Sequence, residues 1–224
     1  MGFQRARSAQ QKQLRIDDII SITAEIFDRE GFDNLNLSAI SEQAGFTRPA
    51  IYRYFSGVEE ILLKVMLRDL ESWSQSIVAA FEDDKNYDVP EIANIWASSI
   101  TTRERMLKLY SIFNTILEKS QTVEAMIDFQ KSSFLSMAPV KKTVNRLFPL
   151  ATEEQIKGFL DVQMALALGL YQMSHISQAH REAALLMNQT AMLPGFESVY
   201  IENLCILMRF LKQGAPPETA PEAG

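Results

Sequence analysis

Thr47, Arg48, Tyr52, Arg53 and Tyr54 bring a hydroxyl, two guanidinium groups and two phenols into eight consecutive positions of a 224-residue chain. Guanidinium forks donate in pairs to guanine edges or phosphate oxygens, while hydroxyls and phenols meet phosphates singly. Presented on one side of one element, the set would suit a nucleic-acid surface. Catalytic chemistry finds no comparable set. His175 and His180 are the only histidines, their i, i+5 spacing is poor for a shared metal on a helix, and neither a phosphate loop nor a nucleophile elbow occurs. Cys205 is the single cysteine, which excludes an internal disulfide and a zinc cluster. We expect no metal, no cofactor and no enzyme activity.

The elements around these residues supply the positioning. In LSAISEQAGFTRPAIYRYF (37–55), a short amphipathic helix ends at Gly45, which can take the left-handed turn, and a second helix begins at Thr47. The Thr47 hydroxyl is expected to cap that second helix, and Pro49 falls in its first turn, where a missing donor costs nothing. Two helices joined by a short glycine-containing turn form a helix-turn-helix, whose second helix enters the major groove. Asn36 is expected to cap the first helix, with Leu37, Ile40 and Ala44 facing inward.

The rest of the chain reads as helical. Apolar residues recur at helix spacing over 16–30 and 58–81, then after Pro90 to about 100. Further helices are expected over 102–119, over 122–148 with a kink or break at Pro139, over 152–179 behind the capping box of Thr152 and Gln155, and over 196–212. The stretch 180–195 is ambiguous. The expectation is an all-α fold of about nine helices. A basic flexible arm (1–13) precedes a three-helix head (14–57), a larger helical body follows (58–213), and 214–224 is a disordered tail.

The formal charge of −6 conceals an uneven distribution. Arg5, Arg7, Lys12 and Arg15 lie in a stretch without acids, and Arg48 and Arg53 sit on the candidate recognition helix, whereas the acidic excess falls after residue 56. A locally basic head on an acidic body fits contact with DNA at one end only. No apolar run reaches the length of a membrane span, and the polar start is not expected to act as a secretory signal, so the expected location is the bacterial cytosol.

The run IISITAEIFDREGFDNLNLSAISEQAGFTRPAIYRYFSGVEEIL (19–62) resembles the DNA-binding domain of the TetR family of bacterial regulators. The features that carry the likeness are Phe27, Glu30-Gly31-Phe32, Ile40, Ala44-Gly45-Phe46-Thr47, Ile51 to Phe55 and Glu59-Glu60-Ile61. The resemblance implies that Thr47, Arg48, Pro49 and Arg53 face the major groove. It also implies that Tyr52 and Tyr54 meet phosphates, with Asn36 and Ser38 near the backbone at the start of the preceding helix. Two positions depart from the family pattern. Asn36 stands where Thr is commoner, and Val58 stands where Lys often supplies a phosphate contact. The family likeness further implies a homodimer on palindromic DNA, with a body that binds a small-molecule effector.

Within the body, Met164, Leu168, Tyr171 and His175 share one helix face, and with Trp96, Tyr110, Phe113 and Phe129 they are candidates to line an effector pocket. Ala165 and Gly169 on another face, with Phe196, Val199, Leu204, Leu207, Met208 and Leu211, are candidates for a dimer four-helix bundle. The reading is a sequence-specific DNA-binding regulator, a repressor relieved by an apolar or amphipathic effector. The alternatives are an adaptor of the same fold controlled by a protein partner, and a helical enzyme or carrier.

Overall fold

The computed structural model describes residues 2–83, 85–187 and 195–214, and these residues are helical with no strand. In order the helices are α1 (Gly2–Glu30), α2 (Leu37–Ala44), α3 (Arg48–Ile51), α4 (Val58–Ala80), α5 (Val89–Thr101) and α6 (Glu104–Ile112), followed by α7 (Val123–Leu147), α8 (Glu153–Ser174), α9 (Gln178–Leu186) and α10 (Phe196–Gln213). A π-helical turn at Phe113–Leu117 and a 3₁₀ turn at Glu118–Ser120 follow α6 directly. The chain divides into two compact units, Met1–Glu71 with Lys108–Leu135, and Ser72–Leu107 with Ser136–Gly224.

The first unit closes around one apolar core. Ile19, Ile26 and Phe27 of α1, Ile40 of α2, Ile51 of α3 and Ile61, Leu62 and Val65 of α4 are buried together, joined by Leu109, Leu117 and Phe129. The boundary expected at 57/58 gives way for this reason: the first half of α4 completes the head core. The expected flexible arm at 1–13 is also corrected, since α1 begins at Gly2 and runs on without a break. Ala, Gln, Lys, Arg and Leu dominate this stretch, all strong helix formers, and no proline interrupts them.

In the second unit α10 packs on both α5 and α8. Asp88 opens α5 with a capping box, accepting from the Glu91 amide while Glu91 accepts from the Asp88 amide. Thr152 and Gln155 form the expected box at the start of α8. At the centre, Gln163 is fully buried and its Oε1 accepts from the Trp96 indole N–H at 3.0 Å and the Tyr200 hydroxyl at 2.6 Å. Its Nε2 donates to the Leu160 carbonyl. Trp73 donates to Ser99 Oγ, which donates onward to the Trp96 carbonyl. All these groups are satisfied, so this polar network is compatible with a dry core.

Three expected elements differ. The helix expected over 152–179 stops at Ser174, because Ser177 caps a new helix by accepting from the His180 amide. The segment expected over 102–119 leaves α-geometry at Phe113. Pro139 does not interrupt α7, which runs through it. Pro139 and Leu135 are both exposed, so the carbonyl freed by the proline can turn to water. Residues 215–224 of the expected tail lie outside the described residues. Among the described residues, no helix is long and apolar enough to cross a membrane.

Candidate nucleic-acid interface

Local chemistry builds the recognition turn. Asn36 caps α2 as expected, its Oδ1 accepting from the Ser38 amide at 3.0 Å and the Ala39 amide at 3.1 Å. Its Nδ2 donates once, to the Asn34 carbonyl, so both ends of the side-chain amide help to hold the helix start. Gly45 ends α2 at φ 65°, in the left-handed region that disfavours other residues, and the Phe46 amide reaches back to the Ser41 carbonyl. Thr47 then precedes α3 in extended geometry. Its hydroxyl makes no capping hydrogen bond, contrary to expectation; its carbonyl instead accepts from the Ala50 and Ile51 amides.

The two sides of α3 differ sharply. Ile51 is fully buried and Phe55 nearly so, fixing the helix against Ile40 and α4. Thr47, Arg48, Pro49, Tyr52 and Arg53 are exposed, and Tyr52 retains 57% of its accessible surface. Arg48 and Arg53 make no ion pair or hydrogen bond among the described residues. The turn into and out of α3 thus presents two unpaired guanidinium groups, a free hydroxyl and a phenol to solvent among the described residues.

Tyr54, the second phenol expected at a phosphate, is packed more closely than Tyr52. It is half-buried against the head core, with the Lys12 ammonium 6.0 Å from its ring centroid. Sequence reasoning missed this contact because it depends on α1 continuing back past residue 14. Ser38 is half-buried, and its carbonyl accepts from Ser41 Oγ. At the start of α4, Glu60 accepts from both the amide and the hydroxyl of Ser56 at 2.7 Å, an acidic cap beside Val58. Elsewhere in the head, Arg68 donates to Ser21 and Arg29 to Gln43, tying α1 to α4 and α2.

The pocket candidates divide between the units. Tyr110, Phe113 and Phe129 belong to the first, while Trp96, Met164, Leu168, Tyr171 and His175 belong to the second. Trp96 is corrected to a core residue: it is fully buried, bonded to Gln163 and packed edge-on against Trp73 and Phe159. Met164 and Leu168 are half-buried. Tyr171 is buried and donates to Glu104 Oε1 at 3.4 Å; burial foremost, and then the Glu104 charge, push its phenol up to about 12. His175 ends α8 in the open, with Nδ1–H donating to the Tyr171 carbonyl at 2.9 Å and its ring stacked on Tyr171.

The dimer candidates also divide. Leu204, Met208 and Leu211 are fully buried inside their own unit, with Tyr200, and are corrected to core. Phe196, Val199 and Leu207 are half-buried, and Ala165 and Gly169 are exposed. The outward apolar residues that the sequence reading missed are Val162, Ile206 and Phe210, exposed at 49%, 62% and 54%. Gly158, Val162, Ala165 and Gly169 recur at i, +4, +7, +11, one continuous small-residue face of α8. Beside it, a groove of about 330 Å³ is lined by Gly158, Phe159, Val162, Leu207 and Phe210 among others.

Residues 19–65 match the model of bacterial regulatory proteins of the tetR family, and residues 67–212 match the model of the tetracyclin repressor-like C-terminal domain. An uncharacterised HTH-type transcriptional regulator of Bacillus subtilis, YfiR, is 28% identical over 87 residues, 39% of this chain and 38% of that protein. The match therefore spans less than half the length of that curated relative. Among solved structures, a TetR-family regulator from Mesorhizobium loti aligns with TM-score 0.52 at 14% identity, over 89% of this chain and 95% of that one. The complex of SmeT, from Stenotrophomonas maltophilia, with triclosan aligns with TM-score 0.50 at 16% identity, over 93% and 100%. These structures support the fold, and the two matched models together span both the recognition turn and the helical body: the chain belongs to the TetR family of bacterial regulatory proteins.

Proposed function

We propose that this chain is a sequence-specific DNA-binding transcriptional regulator that works as a homodimer and is released from its operator by a small apolar or amphipathic effector. The observation that carries the reading is the exposed side of α3, where Thr47, Arg48, Tyr52 and Arg53 are held rigidly and left without protein partners. Unpaired guanidinium groups in fixed geometry lose little freedom on meeting a base edge or a phosphate. Thr47, Arg48, Pro49 and Arg53 are assigned to the major groove and Tyr52 to a phosphate. Asn36 and Ser38 act indirectly, by setting the start of α2.

A single four-residue α3 reads too few base pairs for specificity, and a two-fold dimer doubles the site. The face of Gly158, Val162, Ala165 and Gly169 on α8, with Ile206 and Phe210 on α10, supports a second copy of the chain as the partner. Members of the family act as dimers on operator DNA. The SmeT–triclosan complex supports an apolar effector class for a related fold. The proposed location is the bacterial cytosol, where the DNA is.

Selection of bound fragments from the source genome tests the reading. The expected result is enrichment of a palindrome whose half-sites lie about one helical turn, or a multiple of it, apart. Recovery of no preferred sequence would count against it.

A further inference from the structure

Residues 1–16 carry Arg5, Arg7, Lys12 and Arg15 and no aspartate or glutamate, the first acid being Asp17. Recognition by α3 leaves this charge without a role. The stretch belongs to a helix, since α1 runs unbroken from Gly2 to Glu30. No residue from Gln10 to Asp18 is buried, and residues 10–15 are all exposed. A helical turn takes 3.6 residues, so six exposed residues in a row leave no face of this part of α1 packed. A helix without an apolar face gains nothing from a core. Its helical form is propagated from the packed part of α1 behind it, and its surface is open to a partner.

One contact fixes where the stretch lies. The Lys12 ammonium stands 6.0 Å from the centre of the Tyr54 ring, and Tyr54 follows directly on the exposed Tyr52 and Arg53. The contact sets this part of α1 beside the chain that leaves α3. The other neighbour of α3 has the opposite sign: α4 opens with Val58, Glu59 and Glu60, and Glu60 caps Ser56. A duplex lying on α3 therefore meets no cation in the first turn of α4, whereas Lys12 and Arg15 are exposed on α1. The ten residues from Gly2 to Lys12 extend about 15 Å further, the axial length of about four base pairs.

We infer that the first four turns of α1 form a second DNA-contacting surface, in which Lys12 and Arg15, with Arg5 and Arg7 further along, neutralise phosphates flanking the base pairs that α3 reads. The inference rests on the reading of the chain as a DNA-binding regulator and adds a surface to it. The major groove admits one helix, and α3 takes that place, so a helix alongside it meets the strand backbone. Contacts of this kind raise affinity on every sequence alike and carry the salt dependence of binding.

The test measures affinity of the full chain for the selected operator and for a scrambled duplex by fluorescence anisotropy, over a series of salt concentrations. Two paired variants are compared with the wild type, Lys12→Gln with Arg15→Gln, and Arg5→Gln with Arg7→Gln. In either pair the slope of log affinity against log salt should become shallower by about 0.9 for each phosphate contact removed. Affinity should fall by the same factor on both duplexes. Lys12→Glu should lose more than Lys12→Gln, with the melting temperature unchanged because the side chain is exposed. Unchanged slopes in both pairs overturn the inference. So does a loss confined to the operator, which would make the stretch a reader of bases. The scrambled duplex reports on α1 whether or not the operator is preferred. A wild-type protein that binds both duplexes equally removes the regulator reading, whereas a clear operator preference with unchanged slopes in the variants removes only this surface.

Discussion

The recognition turn and the centre of the second unit treat polar groups in opposite ways. Around Gln163 every donor and acceptor is matched: Trp96 and Tyr200 converge on one amide oxygen in a region with no solvent access. On the outer side of α3, Arg48 and Arg53 are matched by nothing, and water reaches them freely. The first uses polarity to fix how α5, α8 and α10 pack, since only one register satisfies all three side chains. The second uses an apolar underside, Ile51 and Phe55, to hold polar groups ready for an outside partner. The contrast identifies which polar residues are structural and which are available for recognition.

Breaking the matched network should produce the largest effect. Gln163→Leu leaves the Trp96 and Tyr200 donors buried and unpaired, at about 1–3 kcal/mol each, so chemical denaturation should report a loss of roughly 2–6 kcal/mol. Adding Tyr200→Phe should recover part of it. A loss below about 0.5 kcal/mol would mean that water reaches the site.

Next in size is the outward face of α10. Phe210→Asp places a charge where the proposed second copy packs, and should raise the dimer dissociation constant by at least about tenfold, read by analytical ultracentrifugation. Leu204→Ala, by contrast, should lower stability before it touches association, because Leu204 faces its own unit.

Smaller still is the cap on α2. Asn36→Ala should cost about 1 kcal/mol of stability, and Asn36→Ser should restore most of it. DNA affinity should follow stability across these variants; a loss of affinity at full stability would make Asn36 a direct contact.

The smallest effect is confined to alkaline solution. The phenols of Tyr110 and Tyr171 rise from 10.0 to about 12 in the folded chain. Their neutral forms are therefore favoured by folding, and that contribution is complete below pH 10 and lost as pH rises towards about 12. Denaturation midpoints should fall across this window, and less so in Tyr171→Phe.

Much of the head was legible because its determinants are local. Asn36 and Gly45 each act within a few residues, so spacing alone located them, as it did the Thr152 box in the second unit. Thr47 was misread because a side chain that could cap need not do so. The two faces of α10 were not separable from the sequence: Val199, Tyr200, Leu204, Ile206, Leu207, Met208, Phe210 and Leu211 spread apolar groups around most of the helix, and only packing decides which side is inward. The Lys12–Tyr54 contact was not legible, because nothing in the polar stretch before residue 14 announced a helix long enough to bring Lys12 over that ring.

The central claim is that the unmatched side of α3 reads base sequence. It is tested most directly by measuring the affinity of Arg48→Ala and Arg53→Ala for the selected operator and for a scrambled duplex, at matched salt. The account predicts a loss of about 1–3 kcal/mol on the operator for at least one of them, little change on the scrambled duplex, and an unchanged melting temperature. Unchanged operator affinity in both variants, or equal losses on the two duplexes, would contradict it.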